Sequence, residues 1–174
     1  MLSEKLGLQK IISQLANQLA FKQHANELIA LKRFTPHNGP KEDPAHPAIH
    51  PTGLRPEGLN ADEAKLYDLI AKRFLSTFAS SAVREKMRVE ALLGKELFFT
   101  TGSRTLEPGW INFFAPYARF SEIELPAWKK GGNVSADKIE LLEKQTQPPK
   151  RFSQASIIKK LEELGIGTKA TRAE

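Results

Sequence analysis

Six of the chain's eleven prolines fall within residues 34–58, at positions 36, 40, 44, 47, 51 and 56. Proline has no amide proton to give a helix or ladder, and its ring clashes with the preceding turn, so no regular helix can cross this stretch. The chain must fold as one segment before it and another after it, joined by a stiffened, extended connection. Before it, Ile11, Ile12, Leu15 and Leu19 recur at helical spacing, and Leu28, Ile29 and Leu31 suggest a second helical piece. Residues 4–32 are therefore expected to be helical.

The segment after it begins with a capping signal. Asn60 precedes Asp62 and Glu63, so a capping box and a favourable charge at the positive end of the dipole are both available. Tyr67, Ile70, Ala71, Phe74 and Phe78 form the apolar stripe, with Lys65, Lys72 and Arg73 directed to solvent. From Glu85 the period changes to two: Met87, Val89 and Ala91 alternate with Arg88 and Glu90, and Gly94-Lys95 turns the chain into Leu97-Phe98-Phe99-Thr100. Glu107-Pro108-Gly109 makes a further turn, after which residues 110–114 are expected to form an aromatic strand. Residues 138–146 favour helix by propensity, while their position leaves a returning strand open. Pro148-Pro149 marks a second boundary. Ser153 then caps a helix with apolar positions Ile157, Ile158, Leu161 and Leu164, closed by Gly165. A further helix is expected from Thr168. Helix, glycine turn and basic helix is the layout of a helix-turn-helix reader, and equally of two packed helices.

Charge bears on partners. Lys and Arg outnumber Asp and Glu by 26 to 20. Residues 1–64 are balanced, with seven of each sign, and positive charge is densest over residues 147–174. A polyanion such as nucleic acid suits that surplus. There is no cysteine, which excludes disulfides, thiolate metal sites and cysteine nucleophiles. The start Met1-Leu2-Ser3-Glu4-Lys5 is unlike a signal peptide, and no apolar run is long enough to span a bilayer, so a cytoplasmic, nucleoid-associated protein without membrane contact is expected.

Two segments carry candidate chemistry. All four histidines lie between His24 and His50, and the run Ala45-His46-Pro47-Ala48-Ile49-His50-Pro51-Thr52-Gly53 holds two of them. His46 and His50 raise a metal pair, but prolines keep them off a helix and no third ligand is near in sequence. They can instead bond backbone, or donate to phosphate alongside the Thr52 hydroxyl. The second run is Gln147-Pro148-Pro149-Lys150-Arg151-Phe152-Ser153-Gln154-Ala155-Ser156, continuing to Leu164-Gly165-Ile166-Gly167-Thr168-Lys169-Ala170-Thr171-Arg172.

The first run resembles the His-Glu-Ala-Ile-Arg-Pro-Thr signature of type IA DNA topoisomerases. It is closer still to the archaeal and eukaryotic topoisomerase III-like branch, with proline after the first histidine and histidine in place of the arginine. The second resembles that family's Pro-Pro-x-Arg-(Tyr/Phe)-Ser-x-Ala-Ser stretch and Gly-Ile-Gly turn. Residues 66–75 resemble the helix leading from the cleavage domain into the arch, and residues 86–117 the arch itself. The resemblance implies an α+β fold in which mainly helical segments flank an antiparallel β arch segment. It divides the chain into the end of a cleavage domain (1–59), a connecting helix with half of the arch (60–147), and the start of a helical strand-binding domain (148–174). Residues 138–146 would then be a returning strand.

By the same resemblance His46 assists the cleavage pocket, and His46, His50, Thr52, Lys150, Arg151, Thr168, Lys169, Thr171 and Arg172 contact single-stranded DNA. The family cleaves one strand through a tyrosine, forming a 5′-phosphotyrosine, with Mg2+ held by an N-terminal Toprim domain. No Tyr-x-Arg-Thr segment is present, and the two tyrosines, Tyr67 and Tyr117, read as packing residues without a neighbouring base or cation. The resemblance therefore implies a central portion that grips single-stranded DNA, forms part of the gate, leaves Mg2+ to ligands outside this chain and joins the remainder of a topoisomerase. Marginal stability or self-association through exposed arch strands is expected. The alternative is a stand-alone, non-catalytic DNA-binding protein derived from the same fold.

Overall fold

The computed structural model describes residues 2–3, 6–40 and 48–167. They form two compact units, residues 1–132 and 133–174. The fold is α+β, with helices and one two-stranded antiparallel sheet.

In the first unit, α1 (Leu8–Leu15) and α2 (Lys22–Ala30) form a helical pair. Leu8, Ile11, Ile12 and Leu15 of α1 are buried, as their spacing predicts. Leu19 is instead 92% exposed. The chain leaves helical geometry after Ala16, so Leu19 no longer shares the stripe that Ile11 and Leu15 begin. The third helix, α3 (Ala61–Ser76), starts with the expected capping box: Asn60 Oδ1 accepts from the amides of Asp62 and Glu63, and Glu63 accepts from the Asn60 amide. Ala71, Phe74 and Leu75, with Phe78 just beyond the helix, share one buried cluster with Phe21, Ala25 and Leu28. Each large apolar side chain buried there contributes about 1.5–3 kcal/mol. Lys72, expected in solvent, is half-buried because it pairs with Asp68 at 2.9 Å along the helix.

β1 (Val83–Leu93) and β2 (Glu96–Glu107) form a long hairpin whose two-residue turn is Gly94-Lys95, Gly94 taking a φ of 63°. Val89 pairs with Thr100 and Leu92 with Leu97. Beyond Gly102, the segment around Ile123 lies antiparallel beside β2. Ser103 and Ile123 exchange two backbone hydrogen bonds of 2.9 Å, and a Cβ on Gly102 would lie 2.5 Å from the Ile123 carbonyl. Arg104 fastens the outer side, bonding Glu85 at 2.7 Å and Glu124 at 2.9 Å. Those carboxylates raise the guanidinium pKa further above its already high value.

Two strand expectations fail. Residues 110–114 are not a strand: Trp110–Phe113 form a short helix, α4, entered through Gly109 at φ 46° and ψ −126°. Trp110, Phe113 and Phe114 stand at i, i+3 and i+4, the spacing that puts three aromatics on one side of a helical turn and leaves Asn112 outside. Phe113 thereby enters the helical core, its ring 4.6 Å from that of His24. A strand would have sent Phe113 and Phe114 to opposite faces. Tyr117 accordingly follows a helical turn and ends no strand.

In the second unit, residues 138–146 form neither strand nor helix. A strand is stable only when a partner satisfies its backbone, and the only sheet among the described residues has two strands, β1 and β2. Ile139, Leu141 and Leu142 are exposed. The helix α5 (Gln154–Glu163) is formed as expected, with a capping box between Ser153 and Ser156. It closes on Gly165 at φ 68°, where the Ile166 amide bonds the Leu161 carbonyl and the Gly165 amide that of Glu162, a Schellman ending.

Candidate nucleic-acid interface

Residues 50–54 are fixed against the helical core by a polar clamp. Gln18, almost fully buried just past α1, donates from Nε2 to the Gly53 carbonyl at 3.0 Å. Its Oε1 accepts from the Tyr67 hydroxyl of α3 at 3.1 Å, and the same hydroxyl lies 3.2 Å from the Leu54 carbonyl. Gly53 takes a φ of 90°, and a Cβ there would approach Gln14 Oε1 to 2.4 Å. Pro51 is buried. An extended segment with no partner strand thus has its backbone held by a side chain just past α1 and another from α3, which gives the loop one shape.

That shape sets what His50 and Thr52 can offer. His50 Nδ1 lies 2.9 Å from the Ala48 carbonyl, and a carbonyl only accepts, so Nδ1 carries the proton. The neutral ring then presents Nε2 as an acceptor, and it becomes a donor to phosphate only on protonation. Thr52 is exposed; its Oγ1 is 3.4 Å from the Leu54 amide, and its hydroxyl proton has no acceptor among the described residues.

In the second unit, Lys150 and Arg151 are exposed on the extended chain that enters α5, and neither has a carboxylate partner among the described residues. The first turn of α5 holds no acidic residue. Two cations therefore stand beside the positive end of a helix dipole, an arrangement that an anion relieves. His46, Thr168, Lys169, Thr171 and Arg172 lie outside the described residues. Among the described ones there is no group of three or more His, Asp or Glu arranged to hold a metal ion. None of their helices is long and apolar enough to cross a membrane.

The tyrosines have partners that their sequence positions do not reveal. Tyr67 packs edge-on against Phe21, its ring 5.8 Å away, and serves the Gln18 clamp. Tyr117, contrary to expectation, has both a base and a cation: its hydroxyl donates to Asp68 Oδ2 at 2.8 Å, and Lys72 Nζ lies 5.7 Å from the ring centre. Chiefly through that hydrogen bond, Asp68 raises the phenol pKa, the reverse of what a nucleophile requires.

Gln18 and Tyr67 are the positioning residues that motif reading passes over. The sequence holds a signal, since Gln18 falls at i+7 and i+3 from Ile11 and Leu15, where a lone amide among apolar spacings calls for a buried partner even though the helix itself ends before it.

A family model described as DNA topoisomerase matches residues 1–174. DNA topoisomerase 1 of Pyrococcus horikoshii is 42% identical over 99% of this chain and 26% of its own length. DNA topoisomerase 1 of Methanocaldococcus jannaschii is 44% identical over 96% of this chain and 22% of its own. Human DNA topoisomerase 3-alpha is 32% identical over 97% of this chain and 17% of its own. The chain spans about a quarter or less of these relatives.

Proposed function

The chain belongs to the type IA DNA topoisomerase family, and from that premise we propose that it grips single-stranded DNA and forms part of a strand-passage gate. The observation that carries this reading is the clamped loop at residues 50–54. Gln18 and Tyr67 hold the carbonyls of Gly53 and Leu54 and each other, and so fix a segment that carries the half-buried His50 ring and the exposed Thr52 hydroxyl. Fixing the Thr52 donor before the strand arrives lowers the ordering cost of binding. In the second unit Lys150 and Arg151 add charge at the entrance to α5; the resemblance adds His46 to the contacts of the first unit and Thr168, Lys169, Thr171 and Arg172 to those of the second. Contacts of this kind go to phosphates, so they serve any sequence and weaken with salt.

In the parent activity one strand is cut by transfer of its 5′ phosphate to a tyrosine, and resealing returns that bond without ATP. Neither tyrosine of this chain suits that step, because one is committed to Gln18 and the other is held protonated by Asp68. Mg2+ would be held by residues outside this chain. The hairpin β1–β2 is the gate element, and its apolar tip also provides a route to self-association.

The test is binding of a fluorescent single-stranded oligonucleotide, against duplex, across a salt series. Binding should favour the single strand and fall steeply with salt. Arg151→Ala, Lys169→Ala and His46→Ala should weaken it for all sequences alike. Loss confined to particular sequences would mean base readout, and equal affinity for duplex would remove the single-strand reading.

A further inference from the structure

Where the hairpin leaves the helical unit there is a concavity of about 370 Å³, built from residues that the clamped loop does not use. Three stretches of chain meet there. The His37 amide donates to the Thr77 carbonyl at 2.7 Å, which draws the proline-rich connection onto the end of α3. The Trp110 amide donates to the Ser80 carbonyl at 2.9 Å, which brings α4 to the opposite wall. Gly109 allows that approach: a Cβ there would lie 2.5 Å from the Ser81 carbonyl.

The ionised group lining this concavity is a cation. Arg73 stacks its guanidinium over Phe114 at 5.3 Å and has no carboxylate partner among the described residues. His37, Ser80 and Ser81 line it too, and no acidic residue does. The opposing feature is the C-terminus of α3, whose dipole amounts to about half a negative charge. Its carbonyls are already occupied. Ser76 Oγ donates to the Arg73 carbonyl and Thr77 Oγ1 to that of Phe74, both at 2.7 Å, and His37 takes the carbonyl of Thr77. A full guanidinium charge against a capped half-charge leaves the concavity favourable to an anion.

We propose that this concavity is a phosphate subsite for a DNA strand at the root of the hairpin. Arg73 supplies the charge, Ser80 and Ser81 supply hydroxyl donors, and Trp110 forms the wall beside the adjoining nucleoside. The subsite rests on the strand-binding reading and extends the strand's path to the point where the gate element joins the helices.

The test uses the full chain with Trp128→Phe, which leaves Trp110 as its sole tryptophan. Trp110 emission is followed while inorganic phosphate or a short oligothymidylate is added, and anisotropy of a labelled oligothymidylate is read in parallel. The oligothymidylate should shift Trp110 emission, and Arg73→Gln should weaken that response roughly tenfold, as loss of a charge-assisted bond would. The paired change Ser80→Ala and Ser81→Ala should weaken it by a smaller factor. Arg73 is exposed, so its variant should keep the parent's circular dichroism; the serine variant repeats the test should it not.

Binding by anisotropy with silent Trp110 emission, or an Arg73→Gln response as strong as the parent's, would overturn the subsite while leaving strand binding intact. Absence of binding by anisotropy would remove the strand-binding reading and the subsite with it. A response to inorganic phosphate but not to oligothymidylate would make this a free-anion site and overturn the strand assignment.

Discussion

The Tyr67 hydroxyl has one proton and two acceptors, Gln18 Oε1 at 3.1 Å and the Leu54 carbonyl at 3.2 Å, so a single atom joins α3, the end of α1 and the loop. Tyr67→Phe removes it and leaves the nearly buried Gln18 oxygen unsatisfied. Urea unfolding should report a loss of about 1–2 kcal/mol, together with weaker single-strand binding because the loop is no longer held. Unchanged affinity would show that the clamp serves stability alone. Gly53→Ala acts at the other end of the clamp. The atom it would strike is the mobile end of Gln14, so the steric term is small and the φ of 90° dominates, with an expected loss of about 1–3 kcal/mol in the same assay. Tyr117 offers a pH readout. Its folded pKa is raised by Asp68, so the protonated phenol is favoured in the folded state. That contribution is present in full below the unfolded value near 10 and is lost as pH rises through the folded value. With Tyr67→Phe in place, absorbance titration should show Tyr117 ionising late, and Asp68→Asn should bring it earlier. An unmoved titration would mean that the hydrogen bond is absent in solution.

Elements differ in how much of them a sequence can show, and the difference follows from where their stabilising contacts lie. The capping boxes at Asn60 and Ser153 are local, made between residues three apart, and both stand where the chain's chemistry places them. Asn60→Ala should therefore cost about 0.5–2 kcal/mol, read as a lower urea midpoint with an unchanged slope. The hairpin turn at Gly94 was legible for the same reason. By contrast α4 depends on long-range packing of Phe113 and Trp110 against the helical core, and residues 138–146 have no pairing strand among the described residues. Resemblance could name those stretches but not form them. The site divides along the same line. His50 and Thr52 stand out in sequence as a histidine, a proline and a hydroxyl residue in one run. Gln18 becomes visible only through its place on an apolar stripe, and the Arg73 concavity arises from three stretches that meet only in the folded chain.

At the scale of the whole molecule, the hairpin tip is the feature that solution behaviour should reflect. The register pairs Leu92 with Leu97 and Glu90 with Phe99 on one face, and Ala91 with Phe98 and Leu93 with Glu96 on the other. Both faces are thus largely apolar, with Leu92 71%, Leu97 61%, Phe98 47% and Phe99 65% exposed. One alone would be ordinary on a soluble surface, but Leu92, Leu97 and Phe99 stand together on one face of the tip, with Phe98 on the other. β1 also keeps one edge unpaired among the described residues, because β2 occupies one side and the Ile123 segment lies beyond β2. Charges at Lys86, Arg88 and Glu90 protect part of that edge, and none stands at Ala91, Leu92 or Leu93. Covering the tip would contribute about 1.5–3 kcal/mol for each large side chain fully buried, set against the entropic cost of joining two chains. Sedimentation velocity over a concentration series should therefore show reversible self-association, and Leu97→Lys with Phe99→Lys should shift it to monomer without altering the helical signal. A parent chain that stays monomeric throughout would show that the tip is tolerated in water, and association unaffected by the two lysines would place the contact elsewhere.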